Sequence, residues 1–264
     1  MIRQITEHKN LDINLLRKTW RGRKIYSYYK AYGLDYNFCQ FYAVGENGIL
    51  LKFNSTVLIV NPDEQELENL ALFIQMHMPF RIECDMPVCA MLAKLLPEYH
   101  SLHRTTFELQ PDISNKNFEE KFVEFNPSLE QVYQILQAGF PNLQDYALWL
   151  TDTSHRCRHG VSHVLTYKNS TTASIMFDID NYVLIGQVAT LPETRGLGHA
   201  RMFLRWLAGW LAQFHKTAVL YALDIRESFY REIGFKIIDT EYVLELKYSV
   251  QDNITKGLLD NGNT

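Results

Sequence analysis

The sequence has no CxxC pair. Its four cysteines, Cys39, Cys84, Cys89 and Cys157, are scattered, which suits a reducing compartment and ordinary buried thiols rather than a disulfide framework. In such a compartment a sequon such as Asn54-Ser-Thr56 carries no weight. No cluster of Lys and Arg stands out and the formal charge is -4, so the electrostatic footprint of a nucleic-acid binder is missing. The opening stretch, MIRQITEHKNLDINLLRKTW, places a charge every few residues and lacks an apolar core, so neither export nor membrane insertion is indicated. The expectation is a cytoplasmic chain with no membrane partner and no nucleic-acid partner, acting on a small molecule or a peptide.

What is present is material for a large core. Hydrophobic residues make up 47% of 264 residues and charged residues 21%, with 15 Tyr, 15 Phe and 4 Trp, which excludes wholesale disorder and fits one or two globular units. After an N-terminal helical stretch, Phe38–Val44 and Ile49–Val60 read as strands with turns at Gly45-Glu-Asn-Gly48 and Asn54-Ser55. Asn61-Pro62 opens a helix over Glu64–His77, followed by a short strand, Phe80–Asp85, and a short helix, Pro87–Leu96. Gln110–Asn117 is polar and turn-rich and reads as a linker. Helices are expected at Ser128–Gly139 and Leu143–Thr151, and strands at Val161–Lys168, Thr171–Asp178 and Tyr182–Thr190. Then come a glycine-bearing loop, an apolar-striped helix over His199–Phe214, a strand Ala218–Ala222, a short helix ending at Gly234, and strands Lys236–Ile238 and Tyr242–Leu246. The two halves thus share an order of meander, x-Pro, helix, strand and short helix. The expected organisation is an α/β protein with mixed sheets, divided into residues 1–110, 118–248 and a polar tail, 249–264.

The chemistry concentrates in Ile185-Gly-Gln-Val-Ala-Thr-Leu-Pro-Glu-Thr-Arg-Gly-Leu-Gly-His-Ala200, a buried strand that runs through a two-glycine loop straight into a helix. The first N–H groups of a helix have no intrahelical partner and sit at the positive end of its dipole, and glycines let phosphate oxygens approach the backbone. Arg195 adds a full positive charge. The loop lacks the Gly-Lys-Ser/Thr of a nucleotide P-loop, and Arg201 stands where a dinucleotide fingerprint requires its third glycine.

What remains is Arg-x-x-Gly-x-Ala, preceded by Val-Ala-Thr-Leu-Pro and followed by Phe229-Tyr-Arg-Glu-Ile-Gly-Phe235. Together these closely resemble the GNAT superfamily of N-acetyltransferases, over Tyr182–Phe235, with the first half reading as a degenerate relative without a cofactor loop. The resemblance implies an acyl-coenzyme A fold in the second half and acetyl-CoA as acyl donor, with no metal. It implies pairing of the pantetheine arm with backbone at Val188 and Thr190, and a pyrophosphate held by amides of Gly196, Leu197, Gly198, His199, Ala200 and Arg201, with Arg195 beside them. It implies an oxyanion met by an N–H near Ala189, and Tyr230 as the general acid for the departing thiolate. The sequence departs from the family pattern at Leu223-Asp-Ile-Arg226, where an Asn is frequent, and strand Val183–Thr190 carries no carboxylate. The base is therefore unassigned, with Glu193 or a water held by Gln187 as candidates. The acceptor would be an amine of a small molecule or peptide; an amine of pKa near 10.4 is neutral in only about one molecule in 2500 at pH 7. The rival readings are a coenzyme A-binding regulatory module without catalysis and a tandem aminoacyl transferase, the latter disfavoured by the pyrophosphate loop.

Three other features are set aside. His155, Cys157, His159 and His163 would share one face of a strand and could be taken for zinc ligands, but Gly160 interrupts that strand and no second cluster accompanies it. Gly160-Val-Ser-His-Val164 lacks the closing glycine of a nucleophile elbow. Trp206 and Trp210, four apart, read as core rather than as a ligand platform.

Overall fold

The computed structural model describes residues 1–111, 118–140, 143 and 145–247. Most of the expected linker, from 112 to 117, and the polar tail, 249–264, lie outside the described residues. Along the first half run β1 (Ile2–Gln4), α1 (Ile13–Leu16), α2 (Trp20–Tyr32), β2 (Cys39–Val44), β3 (Gly48–Phe53) and β4 (Thr56–Val60). Then follow α3 (Leu67–His77), β5 (Arg81–Cys84), α4 (Met86–Leu95) and β6 (Tyr99–Glu108). The second half contains β7 (Val123–Glu124), α5 (Leu129–Gln137), α6 (Tyr146–Arg158), β8 (His163–Tyr167), β9 (Thr171–Ile179) and β10 (Tyr182–Thr190). It ends with α7 (His199–Gln213), β11 (Thr217–Ala222), α8 (Asp224–Ile233) and β12 (Lys236–Leu246). No described helix is long and apolar enough to cross a membrane.

The order of meander, helix, parallel strand, helix and final strand occurs in both halves: β2-β3-β4, α3, β5, α4, β6, and β8-β9-β10, α7, β11, α8, β12. In each, one parallel pair, β4–β5 or β10–β11, sits in an otherwise antiparallel arrangement. The compact units nevertheless do not coincide with the halves of the sequence. Unit 1 comprises Met1–Leu11, Asn37–His103 and the chain from Tyr242; unit 2 comprises Asp12–Tyr36 and Arg104–Glu241. Strand β12, from the end of the second half, pairs with β5 through Tyr242↔Cys84, and β6, from the first half, pairs with β11 through Phe107↔Leu220. Helix α2, also from the first half, belongs to unit 2, where Arg17 is bound to Asp180 at 2.5 Å and the Trp20 ring meets Tyr182 edge-on at 5.1 Å.

Unit 1 has a core of Leu50, Val57, Ile59, Leu70, Ile74 and Leu92, with Leu244 of β12 among them. In unit 2, alternate residues of the strands enter two cores. Leu165, Tyr167, Ala173, Ile175, Val183 and Ile185 pack under Phe203, Leu204, Leu207, Ala208 and Leu211 of α7. Val164 and Ala189 pack against Val132, Ile135 and Leu136 of α5 and Trp149 of α6. The i, i+4, i+8 spacing of Phe203, Leu207 and Leu211 forms the buried stripe of an amphipathic helix.

The stretch His155–His159 is not a strand: α6 continues to Arg158, so Cys157 is turned away from His155 and His159, whose rings stack at 4.3 Å one helical turn apart. Its buried residues, Trp149, Thr153 and Arg156, recur at helical spacing, with an arginine in the third place where periodicity looks for an apolar residue. The helix also has Asp145 accepting from Ala147 N–H at its start and His155, Arg156 and Arg158 in its last turn, as its dipole favours. Ser162 of the discarded elbow is 4% exposed and donates to the Ile175 carbonyl at 2.6 Å, leaving no free nucleophile.

Candidate functional site

Strand β10 is irregular where the sequence places the acyl-binding segment. Between Gly186↔Ser174 and Ala189↔Thr172 it carries one more residue than β9, a β-bulge. Within it Gln187 has φ +52°, in the left-handed region where a non-glycine residue is uncommon, and its Oε1 accepts from the Ser174 hydroxyl at 2.9 Å. Beyond the bulge β10 has left its parallel neighbour: the pairing with β11 spans Tyr182↔Thr217 to Ile185↔Leu220 and ends there. On that side Gly186–Thr190 has no strand partner among the described residues, so an extended ligand could add backbone hydrogen bonds there as a strand would. Val188 lies half-buried against the α7 core, and Ala189 is buried on the opposite side, close to Gly139 of the turn after α5.

After Thr190 a single 3-10 turn, Pro192–Thr194, leads to Arg195 and the two glycines. Gly196 and Gly198 have φ +81° and +77°. A Cβ at either would meet nothing within 4 Å, so both positions face open space. Gly198 is the N-cap of α7 and no side chain caps that helix, leaving its leading N–H groups for a ligand. A cleft of about 420 Å³ opens over this junction. It is lined by Thr190 and Thr194, by Arg195, Gly196 and Gly198 of the loop, by His199, Ala200 and Arg201 of the first helical turn, and by Phe229. Leu197 points elsewhere: it is 61% exposed and not among the lining residues.

The cations of the cleft are partly engaged. Arg195 donates to the carbonyls of Ala138 (2.6 Å) and Thr190 (3.2 Å), so it fastens the loop to the end of α5 and to β10. Arg201 is bound to Glu232 at 3.0 Å. The His199 Nδ1 lies 3.0 Å from Ser170 Oγ, and burial, with the nearby Lys168 ammonium, holds this imidazole below its ordinary pKa. Sequence reasoning missed Ser170, Ser174 and Thr194, since a serine or threonine in a strand or turn gives no pattern of its own.

Tyr230 of α8 is 8% exposed, with its ring near Phe229 (5.2 Å), Phe107 (5.6 Å) and Phe235 (6.4 Å). Its hydroxyl makes no hydrogen bond among the described residues, and burial pushes its pKa up to about 12. Of the base candidates, Glu193 is exposed on the 3-10 turn and Gln187 is tied to Ser174. Trp206 and Trp210 line none of the cleft; they stack half-buried along α7 with Phe118 and Phe125. Among the described residues no group of three or more His, Cys, Asp or Glu side chains could hold a metal ion.

The first-half counterpart of this junction is built to opposite effect. Asp63, next after Pro62, accepts from Glu46 N–H (2.8 Å) and from the Asn47 amide (3.3 Å), and these bonds hold its carboxyl below the usual range. Glu64, Glu66 and Glu68 surround the start of α3.

No protein-family model matches the chain, and neither does any curated protein. Solved structures do. A Drosophila protein superposes with a TM-score of 0.61 at 13% identity, over 93% of this chain and 98% of its own. A GCN5-related N-acetyltransferase from Sphaerobacter thermophilus gives 0.57 at 13%, over 87% of each chain. Another from Kribbella flavida gives 0.56 at 14%, over 81% of this chain and 92% of its own. Each alignment is too long to fit in one half of the sequence. The chain has the fold of the GCN5-related N-acetyltransferases, the GNAT fold.

Proposed function

We propose that unit 2 binds acetyl-CoA or a related acyl-coenzyme A and transfers the acyl group to an amine of a small molecule or peptide. The observation that carries this reading is the junction of β10 and α7: a bulged strand whose far end has parted from its neighbour, running into an uncapped helix through two left-handed glycines that face open space. The open edge at Val188 and Thr190 accommodates the amide-bearing pantetheine arm, and the leading amides of α7 receive the pyrophosphate. Direct attack of the amine on the thioester gives a tetrahedral oxyanion, met by an N–H at the bulge near Ala189. The amine must lose a proton on the way; a water beside Gln187 or the Glu193 carboxylate is the acceptor this reading allows.

The test is a single substitution. Asp is among the residues that tolerate φ near +77°, so Gly198→Asp keeps the loop while adding a side chain and a negative charge where the phosphate belongs. Calorimetric titration with coenzyme A is expected to show binding to the wild type and none to the folded variant, and unchanged affinity would remove the loop from the site. Arg195→Ala is expected to cost less, about 1–2 kcal/mol, because the helix amides remain. Acyl-CoA-dependent thiol release, screened over amines, then identifies the acceptor.

A further inference from the structure

His199 occupies a place where a neutral imidazole is poorly used. It opens α7, lines the cleft, and is the only titratable lining residue beside two arginines that already have partners. Its Nδ1 is held by Ser170 at 3.0 Å, while its Nε2 has no partner among the described residues. The groups around it are the Tyr167 ring, met edge-on at 5.7 Å, and the Lys168 ammonium, itself paired with Glu119 at 2.8 Å; from α7 and the loop come Arg201 and Arg195. In the protein by itself partial burial and the nearby cation oppose protonation. A diphosphate laid across the cleft reverses that balance by putting at least two negative charges beside the ring.

We propose that His199 takes up a proton when the diphosphate of the acyl donor binds, so that affinity for the donor rises as the pH falls. This rests on the coenzyme A reading of the cleft and adds to it a proton-coupled phosphate ligand. The surroundings accommodate both states of the ring. In the neutral form the Ser170 hydroxyl donates to Nδ1, which leaves the proton on Nε2. In the charged form Nδ1–H donates to Ser170 Oγ, and the hydroxyl turns to the Tyr167 carbonyl, 3.5 Å away. No buried group is orphaned by the change, and Nε2–H serves the phosphate in both states.

The sign follows from linkage. The free protein holds His199 below its ordinary value and the complex holds it higher, so affinity is constant above the bound-state pKa, strengthens as the pH falls between the two values, and levels off below the free-state one. Dephospho-coenzyme A is the probe, because its diphosphate does not titrate between pH 5 and 8, whereas the 3′-phosphate of coenzyme A does. Calorimetric titrations from pH 8 to pH 5.5, in buffers of different ionisation enthalpy, are expected to show about tenfold tighter binding at the acid end, with net proton uptake near pH 6.5. His199→Gln is expected to bind with no such slope, and His199→Lys to bind at pH 8 as the wild type does at pH 5.5. A flat wild-type profile, or an unchanged slope in His199→Gln, overturns the proposal while leaving the acyl-donor site intact. Absence of binding at every pH overturns both.

Discussion

Tyr230 shows how burial alters a role carried over from a motif. A phenol near pKa 10 facing a thiol near 8.5 is a mismatched acid, and burial widens the gap by lifting Tyr230 to about 12. Complete transfer of its proton to a free thiolate would therefore be uphill. On the proposed acyl-transfer reading, the role left to Tyr230 is donation of a hydrogen bond to sulfur as the thioester breaks, which needs no transfer. Tyr230→Phe preserves the packing against Phe107, Phe229 and Phe235 and removes a hydroxyl that has no partner among the described residues. The variant is expected to melt at or slightly above the wild-type temperature, to keep its affinity for acetyl-CoA, and to lose roughly 10² in kcat. Wild-type turnover with the true acceptor would pass the role to water. Gly198 illustrates a different residue-scale effect: no described residue fills the space beside it, so what disfavours most side chains there is the backbone angle, φ +77°.

Among the elements, α6 and the two irregular strands carry most of what periodicity alone did not reveal. Between Leu184↔Phe177 and Ile185↔Ile175, β9 has an extra residue, Met176, whose carbonyl accepts from Arg156 Nη2 at 2.7 Å. The same nitrogen lies 3.2 Å from Ser27 Oγ of α2, and the guanidinium sits 4.5 Å over the Tyr28 ring. One arginine, 4% exposed, therefore pins two helices to a bulge. Arg156→Ala is expected to destabilise the protein by about 2–4 kcal/mol in urea unfolding, against less than about 0.5 for Arg158→Ala at the exposed end of the helix. A cost for Arg156→Ala as small as that of its neighbour would make the bulge self-supporting. The sequence made α3, α7, the three-strand meanders and the β10–α7 junction legible, because apolar spacing and glycine placement act locally. It did not reveal β6, whose Tyr99–Glu108 run mixes His, Arg and Thr among the apolar residues. It also read β12 as two strands where Lys236–Leu246 is continuous. In each case the missing information was a partner distant in sequence: β11 for β6, β5 for β12, and the β9 bulge for Arg156.

Across the whole molecule the recurring order of elements comes with an asymmetry of charge between the two helix starts. Only the second copy has glycines and cations at its helix start; the first has Asp63, Glu64, Glu66 and Glu68, whose charges repel a pyrophosphate. Calorimetry is expected to return one coenzyme A per chain, and a stoichiometry of two would mean that the acidic copy binds as well. The partition of strands between the units has a consequence for the chain as it is made. Strand β5 is translated early, but its partner at Tyr242 emerges about 160 residues later, roughly 8–30 s at about 5–20 residues per second. For that interval the nascent unit 1 presents an unpaired strand edge from the side of the ribosome, an edge of the kind to which chaperones and neighbouring nascent chains attach. The unit whose synthesis begins first is the one completed last.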